Sequence, residues 1–368
     1  MVRRSGIKDK SERLSTLRNR IRQWDVAALL ITHSADIRYL TGFIGDDSWL
    51  LVPARGQRAT VISDFRYQEQ IKREAPQVTA IMRGSSLEDE LAKIAERRRY
   101  KKVAVQADYV SLATRKRIGQ KIGARRLVHV EDGMLGQRAV KDREEVKSIR
   151  RAVAITQKAF LSTIKQLRSG QREFEVAALL EYEMRRIGAD GRAFGTIIAA
   201  DANASLPHAV PGNTKIKNGG IVLFDWGAVV DGYCADLTRV VALGAMKPIL
   251  RQIYQIVLDA HDAAISQVKP GKRFKDIDRV ARDLIASAGY GKQFGHSLGH
   301  GIGLQIHEQP VLSERSLDCM QPGHVFTVEP GIYLPGIGGI RIESDVLVTE
   351  NGHQVLSQLP KDLQSAII

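Results

Sequence analysis

Two segments of this chain set carboxylates against each other across a turn. IVLFDWGAVVDGYCADLTRVVAL (221–243) reads as two strands flanking a turn near Val230–Asp231–Gly232. A turn centred on Val230–Asp231 places Asp225 opposite Asp236. One centred on Asp231–Gly232 places it opposite Thr238, two residues from Asp236 and so on the same sheet face. Either register puts both acids on one side. In VFTVEPGIYLPGIGGIRIESDVLVT (325–349), a turn around Pro335–Gly336–Ile337 sets Glu329 opposite Glu343. Opposed Cβ atoms lie about 4.5–5.5 Å apart, so bare carboxylates repel and one must take a proton. A shared cation removes that conflict. Hard oxygen donors with a single imidazole suit Mn²⁺, Co²⁺, Fe²⁺ or Zn²⁺. Two such ions about 3.5–4 Å apart can be spanned by bridging carboxylates and can activate a water.

The third reactive segment is FGHSLGHGIGLQIHEQP (294–310), where His296, His300 and His307 stand among closely spaced glycines. Glycine lets the backbone turn tightly and approach a ligand closely. His208, in ASLPHAVPG, is a further imidazole candidate. Gly295–Gly299 matches G-x-S-x-G, but that nucleophile turn needs a strand before it and a helix after it, and neither flank has that pattern. The glycines of GHGIG do not complete G-x-G-x-x-G, and His307–Glu308 does not extend to H-E-x-x-H.

The surrounding elements fall into two sets. Ile7, Leu14, Leu17 and Ile21 recur at helical spacing over residues 7–23. Strand-like AALLIT (27–32), WLLVP (49–53), ATVIS (59–63) and VAVQ (103–106) alternate with helical patterns, which suggests a small α/β domain. VEDGMLGQRAVKD (130–142) reads as a linker. Beyond it, Val146, Ile149, Val153, Phe160, Ile164 and Leu167 mark one face of a long helix stopped by Gly170, and a second helix runs from about Glu173 to Ile187. Strand-rich sequence after residue 193 is interrupted by helical stretches near 248–268 and 275–288. We therefore expect an N-terminal α/β domain over 1–135 and one α+β domain of two similar halves over 136–368.

Composition narrows the function classes. The 368 residues carry a net charge of +14. Residues 1–24 hold eight Lys/Arg against Asp9 and Glu12, and residues 93–130 hold twelve against Glu96 and Asp108. The basicity thus belongs to the N-terminal part, away from the acid pairs, and reads as a solvated face. No zinc-finger or aromatic RNA-binding signature accompanies it. No apolar run reaches the roughly 18–20 residues of a membrane span. The basic N-terminus lacks the apolar core of a secretory signal, and two cysteines, Cys234 and Cys319, make no disulfide framework. A cytoplasmic location is expected.

At this point the segments closely resemble the pita-bread metallopeptidases, and within them the Xaa-Pro peptidases (aminopeptidase P and prolidase). FDWGAVVDGYCADLTR, HSLGHGIGLQIHEQP and GHVFTVEPGIYLPGIGGIRIESDVLV carry the likeness, with ITHSADIRYLTGF and SDFRYQEQ resembling that family's creatinase-like N-terminal domain. The resemblance implies that Asp225 chelates one metal, that Asp236 and Glu343 bridge two, and that His300 and Glu329 hold the other. It further implies that Glu329 handles the proton of the attacking water and that His208 and His307 steady the scissile carbonyl. His296 would line the proline-side pocket, and Arg341 would support the metal carboxylates. Gln305 and Gln309 stand where members often have glutamate, and Ser344 where an acid is common; none is an expected ligand, though substrate preference could change.

The expected activity is metal-dependent cleavage of an N-terminal Xaa-Pro bond, with Mn²⁺ as the leading cofactor (Co²⁺, Zn²⁺ or Fe²⁺ as alternatives), a short peptide as partner and a homodimer implied by the resemblance. A prolidase acting on dipeptides is the nearest alternative. A methionine aminopeptidase would lack the substantial N-terminal domain, and a creatinase-like hydrolase would not need all five ligands. The reading from a different class is a non-catalytic pita-bread binding module, recruiting nucleic acid through the basic N-terminal part.

Overall fold

A computed structural model of the chain describes residues 10–131 and 133–368; Ile7, expected to begin the first helix, and Asp132 lie outside that range. The chain divides into two compact units, Met1–Arg138 and Ala139–Ile368.

The first unit is a mixed six-stranded sheet. Its strands are β1 (Ala28–Ile31), β2 (Trp49–Pro53), β3 (Thr60–Ser63), β4 (Thr79–Met82), β5 (Val103–Gln106) and β6 (Leu127–Val130), in the order β4-β3-β2-β1-β5-β6. The four strands expected from sequence are the four inner ones, whose residues are all buried. The two that sequence reading missed, β4 and β6, form the edges and are partly exposed, so their apolar pattern is weaker. Helices α1 (Lys10–Gln23), α2 (Ser34–Thr41), α3 (Gln68–Glu74), α4 (Leu87–Arg97) and α5 (Leu112–Ile122) complete the unit. The supposed linker contains a short helix, α6 (Leu135–Ala139). Arg138 donates from it to buried Asp36 at 2.8 Å, and Gln106 donates to the same carboxylate at 2.6 Å.

The second unit repeats one pattern twice: a helix pair followed by antiparallel strands. Helices α7 (Arg143–Ile164) and α8 (Glu173–Ile187) form the first pair. Asp142 accepts from the amides of Glu144 and Glu145, while Glu145 accepts from the amide of Asp142, so the D-x-x-E spacing starts α7. The helix ends at Ile164, and Leu167 packs in the turn beyond it. Gly188, at φ 109°, closes α8.

Strands β7 (Gly191–Arg192), β8 (Ile197–Ala200), β9 (Ile221–Trp226), β10 (Ala228–Val230), β11 (Tyr233–Cys234) and β12 (Leu237–Ala242) follow. The second half contains α9 (Pro248–Ser266), α10 (Phe274–Ser287), β13 (Gly299–Gly301), β14 (Glu308–Leu312), β15 (Val325–Val328), β16 (Gly331–Leu334), β17 (Gly338–Arg341), β18 (Ser344–Val348) and β19 (His353–Val355). The sheets run β12-β9-β8 and β14-β13-β15-β18-β19, with shorter β11-β10-β7 and β16-β17 ribbons.

Period-two alternation decides which strand faces become core. On β9, Val222, Phe224 and Trp226 pack with Phe160 and α8, the Phe160 and Trp226 rings stacking at 4.7 Å. Ile221 and Leu223 face the other way, into the core shared with α9 and α10, and Asp225 follows them on that face.

Candidate metal centre

The first hairpin adopts the register centred on Asp231–Gly232: Val230 pairs with Tyr233, and Asp225 with Thr238. Asp231 and Gly232 both have positive φ (50° and 77°), which a primed two-residue turn requires. Asp236 stands just before β12, two residues from Thr238, as either register allowed. In the second hairpin, Val328 pairs with Ser344 and Gly331 with Arg341, so Glu329 and Glu343 face each other between two pairs of one continuous register. His300 is not on a loop. It lies on β13, which runs between β14 and β15. Ser297 follows no strand and precedes this one, so no nucleophile elbow forms there.

Tight strand packing explains the glycines around His300. A Cβ on Gly299 would sit 2.0 Å from the Thr327 carbonyl oxygen, and one on Gly301 2.3 Å from that of Gln309. Neither residue has a left-handed φ. The glycines admit neighbouring backbone, where sequence reading suggested a tight turn or a ligand.

Donor atoms of Asp236, His300 and Glu343 all lie within 4.8 Å of one another. His300 Nε2 is 3.6 Å from Asp236 Oδ2 and 3.4 Å from Glu329 Oε1. Its Nδ1 faces the Gly301 carbonyl at 3.2 Å, which turns Nε2 toward the acids. Asp225 joins from beyond this trio: Arg341 Nη2 donates to its Oδ2 at 2.5 Å. The same guanidinium reaches Tyr333 Oη at 2.9 Å and Thr238 Oγ1 at 3.1 Å, and Thr238 in turn donates to Glu343 Oε2 at 2.6 Å.

The other expected residues surround this cluster unevenly. The His307 ring meets that of His300 edge to face at 4.2 Å, with its side chain exposed. His296 Nε2 shares a 3.0 Å hydrogen bond with Tyr333 Oη, on the Arg341 side. His208 is exposed on its loop and interacts electrostatically with Asp225, His296 and His307. Of the divergent positions, Ser344 alternates onto the strand face opposite Glu343, which keeps it away from the acids.

Sequence reasoning missed Thr327, Tyr333 and Asp345, and used Thr238 only as a register marker. Thr327 Oγ1 accepts from the His300 amide at 3.1 Å and donates to Glu329 at 3.2 Å. Asp345 accepts from the Asp236 amide at 3.1 Å. Thr238 stands two residues from Asp236, Thr327 two from Glu329 and Asp345 two from Glu343. That same-face spacing was the available signal.

The electrostatics fit a cation pair. Burial, then the charges of Glu343, Asp225 and Glu329, push the Asp236 carboxyl well above its usual range. Burial and the neighbouring acids do the same to Glu343. Glu329 is pushed up to about 7 by burial, against the pull of Arg341. Burial also raises Asp225, which Arg341 partly offsets. Burial lowers His300 to about 4, leaving a neutral imidazole able to ligate. Among the described residues, none donates a hydrogen bond to the buried Oδ1 atoms of Asp225 and Asp236. Orphaned carboxylate oxygens beside a neutral imidazole are a donor set that divalent cations satisfy.

Comparison with known proteins agrees. The profile of Metallopeptidase family M24 matches residues 147–350. The chain belongs to this family. Residues 13–140 match the Creatinase/Prolidase N-terminal domain. A Bacillus subtilis relative, uncharacterized peptidase YqhT, is 39% identical over 95% of this chain and 99% of its own length. The structure of an Xaa-Pro dipeptidase from Bacillus anthracis superposes with a TM-score of 0.94 at 35% identity, covering 98% of this M24 chain and all of that one. An X-Pro aminopeptidase from Thermotoga maritima gives 0.87 at 38% identity, covering 95% and 100%. The M24 chain is thus a pita-bread hydrolase with a creatinase-like N-terminal domain, and its family implies divalent metal and a peptide substrate. Among the described residues, no helix is long and apolar enough to cross a membrane.

Proposed function

We propose that this M24 peptidase hydrolyses the bond between an N-terminal residue and a following proline, acting as an Xaa-Pro aminopeptidase with two divalent cations, Mn²⁺ foremost. The convergence of Asp236, His300 and Glu343 on one point, with Glu329 3.4 Å from His300, carries this reading. Asp225, Asp236, His300, Glu329 and Glu343 hold the metals. When bound, the cations supply Lewis acidity, acidifying a water and polarising the peptide carbonyl.

The side chains do the rest. Glu329 accepts the proton of the attacking water and delivers it to the leaving proline nitrogen. His307 and His208 face the carbonyl as it gains negative charge and stabilise it by hydrogen bonding. Arg341 favours the ionised form of Asp225 and aligns Glu343 through Thr238. His296, fixed by Tyr333, shapes the pocket for the proline ring. The acids facing the cations also suit a free substrate amine. Proline selectivity is drawn from the similar Xaa-Pro enzymes rather than from a distance in this chain. We take the domain division expected at residue 135 as a functional one too, with catalysis confined to residues 136–368.

A second reading, dipeptide-only cleavage, is favoured by the Bacillus anthracis Xaa-Pro dipeptidase at TM-score 0.94. Metal-stripped protein incubated with Ala-Pro and with Ala-Pro-Ala, with and without Mn²⁺, separates the two. Mn²⁺-dependent alanine release from both, or from the tripeptide alone, supports the aminopeptidase; release from the dipeptide alone makes it a prolidase. No release by metal-loaded protein sinks both and points to another substrate class or to a non-catalytic binding module.

A further inference from the structure

Lys141 and Glu308 form an ion pair at 2.8 Å with side chains only 1% and 2% exposed. Such a pair is uncommon, because removing both charges from water is costly unless they hold each other closely. Its backbone anchors are firm on both sides. The Lys141 amide donates to the Gly323 carbonyl at 2.8 Å, and Val140 bridges to His324. Glu308 pairs with Gly301, immediately after the irregularity in register that follows His300.

The Glu308 carboxylate lies beneath the turn that carries His307. A Cβ on Gly303 would come within 2.1 Å of Glu308 Oε1, so the acid fills the space that a side chain there would need. The Gln305 amide approaches Oε2 at 3.5 Å. Strand alternation sends Glu308 inward and adjacent His307 outward, where its ring contacts His300. Without the Lys141 ammonium, the buried Glu308 carboxylate would take a proton or turn toward water, and either change shifts the floor under residues 302–307.

We propose that Lys141 is a positioning residue: by neutralising Glu308 it fixes the 302–307 turn and so the placement of His307 against His300. The inference rests on the peptidase reading for its effect on turnover, but not for its effect on the turn. Lys141 touches neither metal ligands nor substrate in this scheme; it acts through Glu308.

The test uses the full-length Mn²⁺-loaded protein as parent, K141M, K141R and E308Q. Steady-state kinetics are measured on Ala-Pro and Ala-Pro-Ala, amide hydrogen exchange over residues 302–308, and metal content. K141M is expected to lose about tenfold to a hundredfold in kcat, the scale of a misplaced catalytic group, with KM nearly unchanged, metal retained and faster exchange in 302–308. K141R should recover most of the kcat, and E308Q should reproduce the loss. If K141M does not fold, K141R and E308Q carry the comparison. Parental kcat in K141M or E308Q, or lower kcat there with parental exchange in 302–308, overturns the proposal. If the parent cleaves neither peptide, the peptidase reading fails by itself; unchanged exchange in the variants would then overturn the clamp, and faster exchange would support it.

Discussion

The Thr238 hydroxyl donates to Glu343 Oε2 at 2.6 Å, joining residues 105 positions apart in the chain. It also accepts from Arg341 Nε at 3.1 Å, so one buried hydroxyl orients a carboxylate and the guanidinium that holds Asp225. Thr238 is thereby one link between the two hairpins.

Replacing Thr238 with Val keeps the volume and removes both hydrogen bonds. Loss of an outer partner of this kind weakens metal binding by about 10–100-fold, and the buried Arg341 donor left unpaired costs about 1–3 kcal/mol. T238S should retain most of both. Metal titration and thermal melting check this, and unaltered affinity in T238V would remove Thr238 from the metal support.

Asp236 sits among like charges. Asp236→Asn should cut turnover by more than about a hundredfold, beyond the usual effect of losing an outer partner, because it removes a proposed bridging ligand. The metal-free fold should be at least as stable as the parent, since one repelling acid is gone. Normal activity in D236N would exclude a dinuclear mechanism.

Metal uptake should expel protons. Glu329, raised from 4.5 to about 7 in the folded protein, binds more protons folded than unfolded between those values. Its stabilising contribution to the metal-free protein is therefore present below about pH 4.5 and lost as pH rises through 7. Cations need the ionised form, so Mn²⁺ affinity should climb between pH 6 and 8 by up to roughly tenfold per unit for each proton displaced. Calorimetry in two buffers of different ionisation enthalpy counts those protons; none released would contradict the buried, protonated acids.

Gly301→Ala tests why the histidine segment is rich in glycine. The new methyl group meets Gln309 backbone at 2.3 Å, which cannot swing away as a side chain would. Destabilisation of about 1–3 kcal/mol is expected, with loss of metal affinity because His300 is the adjacent residue. A melting temperature and metal affinity equal to the parent's would show that β13 and β14 can separate without harm.

What the sequence by itself determined was local. Alternation of period two placed Asp225 with Asp236, and Glu329 with Glu343, on common strand faces, because side-chain direction follows from backbone geometry alone. Helix α8 was legible from its terminating Gly188, another local signal. The edge strands β4 and β6 were not, since partial exposure erases the alternating signal. Tertiary structure decided three things. It chose the Asp231–Gly232 turn, where both residues take positive φ. It inserted β13 between β14 and β15, bringing His300 to the acids. It also carried Arg341 to Asp225 and Thr238 to Glu343, contacts spanning more than a hundred residues. No local propensity encodes these contacts; they arise only when the two halves pack their helices and sheets around a common core.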